Sequence, residues 1–159
     1  MLHGLSSRFV QVHVYDCGTD SQRPTNVRAL VDSDVVLLVT TPAKDSLEQT
    51  TSAFVWMCSH PQIRNKHVIL VVNRRFWWRN LDRIQARFDE MATLQFAKEG
   101  VASWRPKSFN AMGVGWDPRL QLGNKFTSGS MRASVRADLD EIGALALELV
   151  ADAFEDDPH

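Results

Sequence analysis

The sequence has 159 residues, of which 44% are hydrophobic and 23% are charged, and its formal net charge is −1. These values are ordinary for a globular protein, so we predict a single domain over residues 1–159 without a global attraction to nucleic acid or anionic lipid. No apolar run approaches the roughly twenty residues that a membrane span requires. The two cysteines show no metal-binding spacing, which favours a reduced, cytoplasmic protein.

An alternating apolar run from Val10 to Tyr15 predicts the first β-strand. The run ends in a polar turn, DCGTD, which contains Asp16 and Gly18. A carboxylate that follows a parallel strand lies at the edge where α/β sheets carry their chemistry. Many such turns only end a strand, so both interpretations stay open at this point.

The next elements alternate between helix and strand. A helix is predicted from Arg23 to about Val31, and a strand follows in the run Val35–Pro42, whose continuous apolar character is typical of burial on both faces. A capping box at Ser46 predicts the start of a second helix, which ends by about His60. The apolar run His67–Val72 predicts another strand.

The remaining sequence predicts a helix from a cap at Asn80 to Gly100, a short strand at Ala111–Val114 and a long amphipathic helix. Together these elements predict an α/β fold with a doubly wound, mostly parallel sheet of about four strands. We expect the strand–helix core over residues 9–128, the long C-terminal helix over 130–155 and a frayed acidic tail over 156–159.

Four segments, in this order, resemble the MinD/ParA-like deviant-Walker ATPases: VYDCGTD, ALVDSDVVLLVTTPAKDSL, VILVVNR and GVGWDPRLQLG. The actinobacterial MinD-like proteins, which are associated with partition or with type VII secretion, are the most similar. The resemblance covers roughly Val10 to Phe154, but the family's phosphate-binding motif G-x-x-x-x-G-K-[ST] does not occur in the sequence. The resemblance therefore implies an incomplete P-loop NTPase-like fold: a remnant or split half of an ATPase, inactive alone.

The same resemblance implies a set of nucleotide-binding residues. Asp16 would lie beside the Mg²⁺ of the nucleotide, and Gly18 would approach the γ-phosphate. Asn73 and the loop that contains Asp117 and Pro118 would flank the adenine, to which an amide can both donate and accept hydrogen bonds. The family's proline before the aspartate is a tryptophan here. We expect ATP or ADP and Mg²⁺ to bind only if another chain supplies the P-loop, and we assign no catalytic residue.

The segment RRFWWR predicts an interface, because Arg and Trp are enriched at interaction hot spots. Its candidate interface residues are Arg74, Arg75, Trp77, Trp78 and Arg79. A non-catalytic protein-interaction module is therefore the alternative to the ATPase hypothesis. The stretch from Arg64 to Arg87 contains seven basic residues (Arg64, Lys66, Arg74, Arg75, Arg79, Arg83 and Arg87), which leaves a DNA-associated accessory open as a third hypothesis.

Partners are expected for a structural reason as well. In the family, the P-loop strand lies between the strand that carries Asp16 and the strand at Val35, so its loss would leave unpaired backbone groups. We predict that a second chain or a self-associating strand edge fills this gap. The acidic C-terminal helix departs from the basic membrane-targeting helix of the MinD branch and argues against lipid binding.

Overall fold

The computed structural model describes residues 12–18, 20, 22–75, 81–100, 106–115, 117 and 131–155. The chain separates into two compact units, Met1–Asp32 and Ser33–His159, so the single domain stays a prediction. The first unit contains the helix α1 (Pro24–Asp32). The second unit alternates strands and helices, as follows: β1 (Val35–Thr40), α2 (Lys44–Ser59), β2 (His67–Arg75), α3 (Leu81–Glu99), β3 (Ser108–Gly115) and α4 (Ala133–Glu155).

The first unit differs from the sequence-based prediction. Residues 12–17 have no regular secondary structure, so the strand predicted from Val10 to Tyr15 is wrong over its described part, 12–15. Val12, Val14 and Tyr15 are all exposed, and Val14 is 87% exposed. Alternating apolar residues favour a strand, but a strand needs neighbours that accept and donate its backbone hydrogen bonds. The predicted helix is confirmed, with Pro24 in the first turn, where its missing N–H is not needed.

The second unit is built on a three-stranded parallel sheet in the order β1-β2-β3. Val35 pairs with His67 and Thr40 with Val72 in an unbroken register, whereas the β2–β3 pairing is irregular between Val72 and Arg75. This sheet and its helices confirm the α/β class, although the described part has three strands where about four were expected. Helical crossovers between consecutive strands are what make the strands parallel.

Helices α2 and α3 cover one face of the sheet with an aromatic cluster. The Phe54 ring lies 5.4 Å from the ring of Phe88 and 5.4 Å from that of Phe109 on β3, with Phe96 at 6.3 Å. These tilted and edge-on contacts are the preferred geometries of aromatic pairs. Gly100, whose φ is +65°, ends α3 as the sequence predicts.

Helix α4 covers the opposite face of the sheet. Its apolar residues recur at heptad spacing and pack against alternate residues of β2 and against β3, and the resulting cluster contains Ile69, Val71, Val114, Val135, Ile142 and Leu149. The predicted long C-terminal helix is therefore confirmed, because its apolar stripe matches an apolar sheet face. None of the described helices is both long enough and apolar enough to cross a membrane.

Candidate functional site

The carboxyl ends of the three strands form one edge of the sheet, called the carboxyl edge below, because both strand pairs are parallel. Asn73, near the end of β2, is exposed there. Asp117 follows β3 by two residues, and the register pairs Arg75 with Gly115 at the ends of the two strands. The fold therefore brings Asn73 and Asp117, both predicted to flank a base, to the same edge of the sheet.

The environment of Asp117 is that of a helix-capping residue. Asp117 is 1% exposed, and its Oδ2 accepts a hydrogen bond of 2.8 Å from the backbone N–H of Arg132. Helix α4 begins at the next residue, Ala133, so the carboxylate lies where unpaired N–H groups and the helix dipole favour negative charge. Asp117 thus fastens the start of α4, and its contact with adenine stays a prediction.

A second carboxylate fastens the same corner between β3 and α4. The backbone N–H of Gly115 donates a 2.8 Å hydrogen bond to Oδ2 of Asp138 on α4. A Cβ atom on Gly115 would lie 3.3 Å from that oxygen and 3.5 Å from Cγ2 of Val135, so the glycine permits the close approach of helix and strand. Sequence analysis did not identify Asp138, because no local pattern separates it from the other acidic residues of this helix.

The turn that contains Asp16 and Gly18 is held by local hydrogen bonds within the first unit. Oδ1 of Asp16 accepts a 2.9 Å hydrogen bond from the N–H of Gly18, whose φ is +58°. The side-chain amide of Asn26, on α1, donates to the carbonyl oxygens of Cys17 at 2.7 Å and Asp20 at 2.6 Å. The result is an Asx turn clasped by a helix side chain, a structure that the sequence did not predict.

Asp16 carries a carboxylate, the kind of ligand that a hard cation prefers. Asp16 is exposed, and one of its oxygens already accepts the Gly18 N–H. Mg²⁺ in nucleotide sites takes one or two carboxylates together with phosphate oxygens and water, so a single carboxylate fits only part of such a site. Asp16 by itself would therefore supply one ligand of such a site.

A hydroxyl cluster joins the end of β1 to the start of α2. The sequence predicts Ser46 as a helix cap, but this is wrong: α2 begins at Lys44, and its N-cap, Ala43, makes no side-chain capping bond. Instead Oγ of Ser46 accepts a 3.0 Å hydrogen bond from the N–H of Thr41 and lies 3.1 Å from Oγ1 of Thr40. Ser46 therefore satisfies the strand exit rather than the helix end.

The lateral edge of β1, meaning the side of the strand away from β2, lies beside two exposed apolar side chains. Leu37 is 44% exposed and Val39 is 61% exposed. Their register partners are Ile69 and Val71, so they point to the sheet face that α4 covers. The run was predicted to be buried on both faces, and this is wrong for Leu37 and Val39.

The two thiols are unsuited to nucleophilic chemistry. Burial raises the pKa of Cys58 to about 12, so that its thiolate is scarce at neutral pH. The pKa of Cys17 is also raised, first by burial and second by the negative charge of Asp16. Neither environment provides the positive charge that activates a catalytic cysteine.

The predicted interface segment can be placed only in part. Arg74 and Arg75 are the last two residues of β2, and their side chains lie outside the described part of the structure. Trp77, Trp78 and Arg79 lie outside the described residues altogether, as does Pro118 of the predicted adenine loop.

Comparisons with known proteins do not identify a related protein or family. No protein-family model, no curated protein and no solved structure gives a significant match to this chain.

Proposed function

We propose that this chain is a remnant or split half of a MinD/ParA-like ATPase, which acts by receiving a strand from another polypeptide at the lateral edge of β1. The observation that carries the proposal is a mismatch between the composition of β1 and its position. The strand, VVLLVT, has the composition of a strand buried on both faces, yet it lies at the end of the described sheet with Leu37 and Val39 exposed.

Physical chemistry favours covering this edge. Complete burial of a Val or Leu side chain stabilises a structure by about 1.5–3 kcal/mol, and the lateral edge also presents backbone N–H and C=O groups that can pair. Natural edge strands usually avoid association through charged residues, proline or bulges. β1 contains no charge and no proline, and its pairing with β2 has no bulge.

The resemblance to the ATPases suggests what an added strand would bring. In that family the P-loop strand lies beside the strand that corresponds to β1. A polypeptide that supplied this strand would carry its phosphate-binding loop to the carboxyl edge, where Asn73 and Asp117 lie. Backbone N–H groups and a lysine from that loop would then hold the phosphates, and this chain would contribute the rest of the nucleotide pocket.

Calorimetric titration with Mg-ATP tests the proposal. We expect the chain alone to bind Mg-ATP no more tightly than about millimolar. Addition of a MinD/ParA-like ATPase fragment, containing the P-loop strand and its G-x-x-x-x-G-K-[ST] loop, should produce micromolar binding that neither component shows alone.

Two variants connect the titration to β1. Val39→Lys places a charge on the α4 side of β1, where an added strand would pack beside it, and should abolish the binding gained with the fragment. Leu94→Lys is the matched control, because Leu94 is 65% exposed on α3 and takes no part in the edge. Micromolar binding of Mg-ATP by the chain alone would overturn the proposal.

A further inference from the structure

We draw no further inference here: the strongest candidate, the exposed surface patch on α4 that contains Leu139, Gly143 and Leu147 at a spacing of four residues, carries none, because nothing in the structure shows what covers it.

Discussion

At the scale of single residues, the close packing of β3 against α4 requires a residue without a Cβ atom at position 115, which is Gly115. A methyl group there would meet Oδ2 of Asp138 at 3.3 Å and Cγ2 of Val135 at 3.5 Å, inside a corner fastened by hydrogen bonds. We predict that Gly115→Ala lowers the free energy of unfolding by about 1–3 kcal/mol, the usual cost of overpacking. Chemical denaturation measures the change.

Gly143 provides the matched control for this prediction. It lies on α4, and a Cβ atom there would meet nothing within 4 Å. Because alanine is the better helix former, Gly143→Ala should raise the free energy of unfolding by about 0.5–1 kcal/mol. If both alanine variants were stabilised alike, the close approach of α4 to β3 would be refuted.

We predict that the free energy of unfolding decreases at alkaline pH because the thiol of Cys58 is buried. Burial raises its pKa from the ordinary 9.0 to about 12 in the folded protein. Above pH 9 the unfolded chain releases this proton while the folded chain keeps it, so unfolding becomes more favourable as pH rises toward about 12. The contribution of Cys58 to stability is therefore complete below pH 9 and decreases above it.

The comparison of the wild-type chain with Cys58→Ala isolates this effect, since all other titrating groups are shared. We expect the free energy of unfolding to fall more steeply with pH in the wild type than in the variant, between about pH 9 and pH 10.5. Parallel pH profiles for the two proteins would show that the thiol is not protected by burial.

At the scale of elements, the junction between β1 and α2 depends on Ser46. Its hydroxyl accepts the N–H of Thr41 and contacts Oγ1 of Thr40, so Ser46→Ala leaves a partly buried donor without this partner. We predict a loss of about 1–3 kcal/mol in the free energy of unfolding.

Ser52→Ala is the control within the same helix. The hydroxyl of Ser52 is exposed. It donates to the carbonyl oxygen of Glu48 one turn earlier and lies 3.3 Å from Oε1 of Gln95 on α3, and the loss of these exposed bonds leaves the helix ladder intact. Alanine also favours the helix, so we expect a change near zero or a slight stabilisation. Equal losses in the two variants would contradict the role of Ser46 at the strand exit.

The sequence predicts those elements whose pattern is local. The apolar stripes that predicted α3 and α4 depend on residues three and four apart, and both helices lie within a few residues of the expected bounds. The run at Val10–Tyr15 has an equally regular alternation but forms no strand over residues 12–15, since a strand depends on neighbours that lie far along the chain. The capping-box pattern at Ser46 was misleading because the same hydroxyl can bond to a strand exit instead.

In the candidate site, too, features with a local sequence pattern could be predicted and contacts between distant residues could not. Asn73 and Asp117 could be assigned to the carboxyl edge because each follows an apolar run that predicts a strand, although β2 itself extends past Asn73 to Arg75. The hydrogen bond from Arg132 to Asp117 and the role of Asp138 could not be predicted, since both join residues separated by an unpatterned stretch of chain. The exposure of Leu37 and Val39 was also invisible, because an interior strand and an uncovered edge strand have the same composition.

At the scale of the molecule, we propose that β1 accepts another strand. Its composition belongs to the interior of a sheet, and its position is at the end of one. A chain that supplies a P-loop strand would cover this edge. We therefore expect this chain and the P-loop fragment to sediment as a complex, a result that sedimentation of the labelled chain would detect.

Residue-resolved amide hydrogen exchange in β1 tests the central claim most directly. In the dilute chain, alternate β1 amides that point away from β2 should exchange rapidly, while those bonded to β2 and the amides of the central strand stay protected. On association with the P-loop fragment, the outward β1 amides should become protected and those of β3 should not change. Association that leaves the outward β1 amides unprotected would contradict the account.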